Sequence, residues 1–230
     1  MRISEGLRDA ARAYSTGEWK GCLAILDGVD STAVNHLDLA YLLGLVHSRL
    51  ANWDTALLYL EQVVTGSDEA LQICQCRLVL SFIYLKTGHV RLAEYELERL
   101  SATGFESVQT CSGFAYAAWA QGRGEDAIRW YEKALAFDED NANALNGLGY
   151  VLASTGRDVP RALACCRKAV AHSPDNAAYL DSLAWACHAS GRAGEGRELI
   201  ARALTLSPDH PEILGHAKAM ALGGAGGVKA

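Results

Sequence analysis

Two stretches near the C-terminal end of the chain have nearly the same sequence, and this repetition constrains the fold most. The first runs from Ala144 to Asn176 and reads ALNGLGYVLASTGRDVPRALACCRKAVAHSPDN. The second runs from Tyr179 to His210 and reads YLDSLAWACHASGRAGEGRELIARALTLSPDH. Both contain Gly-Arg in the middle and Ser-Pro-Asp near the end. Repetition at this period is typical of a helical solenoid, in which each helix pair buries its apolar face against the next.

One turn position extends the repeat over most of the chain. It recurs every 34 to 37 residues, at Gly17, Ala51, Gly88, Gly122, Gly156 and Gly191. A tight turn between two helices needs a left-handed backbone, which glycine adopts without steric cost. Ala51 is the exception, and we expect the neighbouring Asn52 to take the left-handed conformation instead.

Two columns of small residues flank this turn in every unit. The column before it is Ala10, Gly44, Ser81, Ala115, Gly149 and Ala184, and the column after it is Cys22, Ala56, Ala93, Ala127, Ala162 and Gly196. Two helices approach closely only where their side chains are short, so these columns mark the contact within each helix pair. Leucine and other apolar residues recur beside them at helical spacing and predict the core.

Composition narrows the class of protein further. The 230 residues carry a net charge of -6 with both signs mixed, which argues against a general nucleic-acid or anionic-membrane binder. No stretch is apolar for long enough to span a bilayer. The seven cysteines are scattered and lack zinc-site spacing, which indicates small buried apolar residues in a reducing compartment. We expect a cytoplasmic protein without cofactor or metal, although an export signal removed earlier would leave no trace in this sequence.

The spacing of turns and small residues resembles the tetratricopeptide repeat (TPR) family. The resemblance implies an all-α, right-handed α-solenoid of about six helix pairs plus a C-terminal capping helix. The units would be 3–36, 37–70, 74–107, 108–141, 142–176 and 177–210, with the cap at 211–222. We expect a single domain over 1–222 and a disordered tail over 223–230. Leu71–Ile73 are extra residues between two units, and should lengthen a helix there or create a hinge.

In this family the first helix of each pair lines a concave groove, and the resemblance assigns the facing residues. One column becomes aromatic along the chain and forms a predicted inner row: Leu45, Phe82, Tyr116, Tyr150 and Trp185. The other predicted groove residues are Trp119, Gln109, Asn143, Asn146, Asp181, His188, Arg49 and Lys86. Two interpretations stay open. The aromatics pack between repeats, or part of the row is exposed beside amides that satisfy a bound peptide.

The resemblance implies a non-catalytic scaffold or adaptor that binds another protein or peptide in the groove. No nucleophile motif, phosphate-binding loop or dinucleotide fingerprint points to an enzyme. The carboxylate clamp of chaperone-binding members cannot form, because its places hold Leu7, Ala11, Leu42, Gln75 and Val79. Two alternatives remain: a carrier that holds an apolar small molecule or lipid in the groove, and a protein that assembles with copies of itself.

Overall fold

The fold of residues 5–223, which a computed structural model describes, is all-α. Thirteen helices and no strand occur in this range. They are α1 (Glu5–Ser15), α2 (Trp19–Asp27), α3 (His36–Arg49), α4 (Trp53–Gly66), α5 (Ala70–Lys86), α6 (Val90–Ala102), α7 (Val108–Ala120), α8 (Gly124–Phe137), α9 (Ala142–Ser154), α10 (Val159–His172), α11 (Ala177–Ala189), α12 (Ala193–Leu206) and α13 (Pro211–Gly223). The expectation of six helix pairs followed by one further helix is confirmed.

The turns inside the helix pairs fall where the sequence predicts them. All five turn glycines have positive φ, with Gly17 at 81° and Gly191 at 76°. The expectation for the remaining turn is wrong. Ala51 itself is left-handed at φ 58°, whereas Asn52 has φ -83° and precedes the first residue of α4. The turn geometry is therefore kept even where the residue has a Cβ atom.

The small residues predicted between paired helices lie at close contacts. Ala115, Ala127 and Ala162 are fully buried. At Gly149 a Cβ atom would stand 2.4 Å from Cys166 Sγ and 2.9 Å from the carbonyl oxygen of Ala162. Backbone cannot move aside easily, so a larger residue would overpack the joint at a cost of about 1–3 kcal/mol. The short side chains thus set the distance between the two helices of a pair.

The chain divides after Glu106 into two compact units. The N-terminal unit holds α1–α6 and the C-terminal unit holds α7–α13. In each unit every odd-numbered helix contacts the next odd-numbered one, whereas no two described even-numbered helices of one unit are in contact. The odd-numbered helices therefore form the closer-packed inner layer of their unit. We call the surface of this layer that is turned away from the even-numbered helices the inner face.

The three extra residues of the repeat, Leu71–Ile73, lie inside α5. This helix has 17 residues and is the longest of those described. Of the two consequences expected for the insertion, a longer helix is observed, and the division between units falls after Glu106 instead. The predicted tail lies outside the described residues, except that Gly223 ends α13. None of the helices within 5–223 has the length and apolar character needed to cross a membrane.

Candidate functional site

The inner face of the C-terminal unit carries three residues of the predicted aromatic row. Tyr116, Tyr150 and Trp185 project from α7, α9 and α11, one residue after the small residue that faces the paired helix. Their exposure differs. Tyr116 is 48% exposed, whereas Tyr150 and Trp185 are half-buried. Of these three rings one is therefore open to solvent and two are packed.

Helix α13 explains why exposure falls along this row. The His216 ring stacks on Trp185 with 4.6 Å between ring centroids, and its Nε2 lies 3.3 Å from the Tyr150 hydroxyl. Tyr150 also meets Trp119 edge to face at 5.7 Å. Burial raises the pKa of Tyr150 to about 12, so the phenol stays neutral at physiological pH. One side chain from α13 thus covers two inner-row aromatics.

His216 also binds Asp181 of α11. Its Nδ1 lies 2.9 Å from both carboxylate oxygens, and the side chains of His216 and Asp181 are only 12% and 7% exposed. The hydrogen bond to Asp181 raises the pKa of His216, although desolvation opposes it. Asp181, predicted as a groove residue, is therefore engaged inside the unit. His188 instead lies beside Trp185, with 5.5 Å between ring centroids.

The sequence interpretation did not identify His216 as part of this cluster. The signal was present, because His216 follows Asp181 by one repeat length and so occupies the same repeat position on the next inner helix. Helix α13 was expected only as a cap, so its residues were not assigned to repeat positions. Its first residues matter as well, since the charge of Glu212 contributes to raising the pKa of both Tyr116 and Tyr150. Helix α13 is thus one wall of the inner face.

Amide and hydroxyl groups accompany the aromatics. Gln109 and Asn143 are exposed on α7 and α9, and Asn143 Oδ1 accepts a 2.6 Å hydrogen bond from the Tyr179 hydroxyl. Ser112 Oγ and Asn146 Oδ1 are buried and have no hydrogen-bond partner among the described residues. These two residues occupy one repeat position on neighbouring helices. The inner helices therefore hold two buried polar atoms whose hydrogen bonds are unsatisfied.

Charged residues are nearly absent from α7, α9 and α11, three of the four inner helices of the C-terminal unit. The sequences of α7, α9 and α11 contain one residue among Asp, Glu, Lys and Arg, which is Asp181. The even-numbered helices and the loops beside them carry ion pairs instead, among them Arg161–Glu132, Arg167–Glu195, Lys168–Asp140 and Arg157–Glu125. The part of the inner face formed by α7, α9 and α11 is thus an aromatic and amide surface, whereas α13 adds the exposed Glu212 beside it.

The N-terminal unit has a different inner face. Leu45, placed in the inner row by the sequence, is 8% exposed and packs in the core of this unit, so it offers no ligand surface. Phe82 is 47% exposed. Arg49 and Lys86, the last residues of α3 and α5, are both exposed. Charge therefore distinguishes the inner helices of this unit from those of the C-terminal unit.

A stack of paired helices with a closer-packed inner layer defines the class: the chain is a helical-repeat protein. Family models described as TPR repeat and tetratricopeptide repeat match residues 115–156 and 155–211. Over these residues the chain therefore carries tetratricopeptide repeats. A stretch of 82 residues is 37% identical to the TPR repeat-containing protein PA4667 of Pseudomonas aeruginosa. This stretch makes up 36% of this chain and 14% of that protein.

Solved structures show the same fold at low sequence identity. A thermophilic TPR protein of Thermus thermophilus, TTC0263, matches with a TM-score of 0.64 and 21% identity, over 81% of this chain and 99% of that one. YrrB, described as a TPR protein with an unusual peptide-binding site, matches with a TM-score of 0.55 and 16% identity, over 80% of this chain and 90% of that one. Proteins of this fold are generally non-catalytic scaffolds for protein–protein interaction.

Proposed function

We propose that this chain is a non-catalytic scaffold whose C-terminal unit binds an uncharged segment of a partner protein on its inner face. The observation that carries the proposal is Tyr116, a half-exposed aromatic on α7, one of three inner helices whose single charged residue is the buried Asp181. Rigid aromatic side chains are common interface anchors, because they bury a large area at low cost in conformational entropy. On α7, α9 and α11 a charged peptide group would lose water without gaining an exposed partner of opposite charge.

Exposed amides on α7 and α9, the helices of Tyr116 and Tyr150, support a peptide as the ligand. Gln109 and Asn143 are exposed, and an amide side chain donates and accepts hydrogen bonds at once, as a peptide backbone requires. The open position of Tyr116 favours a peptide over the alternative of an apolar molecule in an enclosed carrier site. A peptide-binding site is described for the structurally similar YrrB, which agrees with this choice.

A displayed library of random twelve-residue peptides tests the proposal, with the whole chain as bait. We expect the selected peptides to be poor in Asp, Glu, Lys and Arg. Calorimetric titration should show that Tyr116→Ala weakens binding of a selected peptide about thirtyfold, as expected for the loss of about 2 kcal/mol at an interface anchor. The matched control is Phe137→Ala, because Phe137 is a 51% exposed aromatic at the end of α8, outside the inner face.

The control variant should bind the selected peptide as tightly as the unaltered chain. Equal losses from Tyr116→Ala and Phe137→Ala would refute an inner-face site. An apolar molecule retained in native mass spectra, with no selected peptide bound, would favour the carrier alternative. A dimer in light scattering that Tyr116→Ala converts to monomer would favour self-assembly.

A further inference from the structure

The N-terminal unit carries a group of cationic and aromatic side chains that has no counterpart on α7, α9 and α11 of the C-terminal unit. Its members are Tyr14, Arg49, Trp53, Phe82 and Lys86, which we call the basic–aromatic edge. The two cations end α3 and α5, the two neighbouring inner helices of this unit, and both are exposed. They occupy the same repeat position, four residues after the inner-row column.

Each cation of this edge is positioned by an aromatic ring. The Arg49 guanidinium lies 5.9 Å from the ring centroid of Tyr14, and its Nε donates a 3.0 Å hydrogen bond to the Tyr14 hydroxyl. Lys86 Nζ lies 5.7 Å from the ring centroid of Phe82. Trp53 also meets Phe82 edge to face, with 6.2 Å between ring centroids. These contacts hold two otherwise flexible side chains near defined places, which reduces the entropy lost on binding.

Neither cation has an acidic partner within 5–223. Arg77, on the same helix as Lys86, shows the alternative: it forms a buried 2.6 Å ion pair with Glu96. Arg12 of α1 lies 3.6 Å from Asp9. Arg49 and Lys86 form no such pair, although acidic residues outnumber basic ones in the chain by 27 to 21. Their positive charge is therefore free to act on a bound group.

The inner helix α3 carries opposite charges at its two ends. Asp38 stands in its first turn and Arg49 at its last residue, which places them about 16 Å apart at the rise of an α-helix. Asp68 and Glu69, exposed before α5, add negative charge beside the start of these helices. An acidic segment would be repelled from that end and attracted to the basic–aromatic edge, so the charges also orient it.

We propose that the basic–aromatic edge of the N-terminal unit binds an acidic segment of a partner protein, with carboxylates on Arg49 and Lys86 and an apolar side chain on Phe82. This second proposal adds a second binding surface to the proposed scaffold. It rests on the proposed function only in assuming that the chain binds proteins. The two surfaces complement one another chemically, because one selects uncharged peptide and the other selects negative charge.

Fluorescence anisotropy with two labelled peptides tests this proposal on the whole chain. The first peptide is four Glu-Ala-Phe triplets, and the second replaces every Glu by Gln. We expect the Glu peptide to bind more tightly, and its affinity to fall as salt rises from about 50 to about 300 mM because exposed charges are screened. Combining Arg49→Gln with Lys86→Gln should weaken the Glu peptide about tenfold and leave the Gln peptide unchanged.

The matched control removes the same charge from an even-numbered helix. Arg91 and Arg99 of α6 are exposed and, within the described residues, have no ion pair, so Arg91→Gln with Arg99→Gln should leave Glu-peptide affinity within about twofold. Lys86→Arg should keep the affinity. If Arg49 and Lys86 only stabilise the negative C-terminal ends of their helix dipoles, their removal would lower the melting temperature and leave peptide binding unchanged.

The proposal is overturned if the Glu peptide fails to bind, if the Gln peptide binds as tightly, or if the two double variants weaken binding equally. Its failure can be distinguished from failure of the C-terminal site. Tyr116→Ala should leave the Glu peptide unaffected, whereas the double variant at Arg49 and Lys86 should leave the selected uncharged peptides bound.

Discussion

Ala51 shows how strongly the repeat imposes its turn geometry on a single residue. It is the one turn residue of the six with a Cβ atom, and it has φ 58° where the others are glycine. The left-handed conformation costs an L-residue about 1–2 kcal/mol, because Cβ crowds the following carbonyl oxygen. The packing of α3 against α4 overcomes this cost. The composition of the turn did not indicate whether Ala51 or Asn52 would adopt the left-handed conformation.

Relieving this strain should stabilise the protein. We expect Ala51→Gly to raise the free energy of unfolding by about 0.5–1 kcal/mol, since the gain in the turn exceeds the added freedom of glycine in the unfolded chain. Chemical denaturation measures the change. The control is the same substitution at Ala201, an exposed position inside α12, where Ala201→Gly should destabilise by about 1 kcal/mol. Destabilisation by both substitutions would contradict the turn argument.

The His216–Asp181 contact makes the stability of the C-terminal unit depend on pH. The pKa of His216 is raised in the folded chain, so its contribution is fully present below the ordinary histidine pKa of about 6.5. The contribution is lost as pH rises through the folded-state pKa. We expect His216→Gln to cost about 1–3 kcal/mol at pH 5.5, and clearly less at pH 9.

Denaturation of the unaltered chain and of His216→Gln across pH 5 to 9 measures this difference. His210→Gln is the control, because His210 is exposed just before α13. Because this position is exposed, His210→Gln should change the free energy of unfolding by less than about 0.5 kcal/mol. A cost of His216→Gln that stays constant, or grows toward alkaline pH, would contradict an ion pair at Asp181.

At the scale of elements, α13 serves both as a cap and as a wall of the inner face. Its Ile213 and Met220 are buried against Leu180, Ile200 and the rest of the last helix pair. Lys218 occupies the repeat position held by buried Leu148 and Leu183, and it is exposed. The helix therefore covers apolar surface on one side and presents a solvated residue on the other, as a terminal element requires.

Two neighbouring residues of α13 separate these roles by mutation. Ile213 is 1% exposed and Leu214 is 47% exposed. Ile213→Ala should destabilise the C-terminal unit by about 2–4 kcal/mol through lost burial and a residual cavity, whereas Leu214→Ala should change stability by less than about 0.5 kcal/mol. Thermal unfolding followed by circular dichroism compares them. Similar small effects would mean that α13 does not pack on the last pair.

The whole molecule shows which levels of structure the repeat pattern encodes. Period and small-residue columns predicted the helix pairs, the turns and the buried contacts, because each depends on residues a fixed spacing apart. Exposure along the inner row was not predictable, because it depends on which later helix covers each side chain. Tyr116 and Tyr150 share a repeat position, yet His216 covers only Tyr150 of the two through contacts 66 residues apart in sequence.

The repeat pattern did not predict the division after Glu106 either. Leu71–Ile73 interrupt the period, and α5 absorbs them by lengthening. The division lies where the period is regular, because it reflects the contacts within each unit, which the spacing of the repeat does not report. For the same reason the site was predicted as one row along the chain, whereas each unit presents a face of its own character.

The central claim is that the inner face near Tyr116 binds a partner's uncharged segment, and photo-crosslinking tests it most directly. A photoreactive phenylalanine analogue is placed at position 116 or at position 137, and each chain is irradiated with a selected uncharged peptide. Mass spectrometry then measures the crosslinked fraction. We predict efficient crosslinking from position 116 and only background from position 137. Equal crosslinking from both positions, or crosslinking from position 137 alone, would contradict the account.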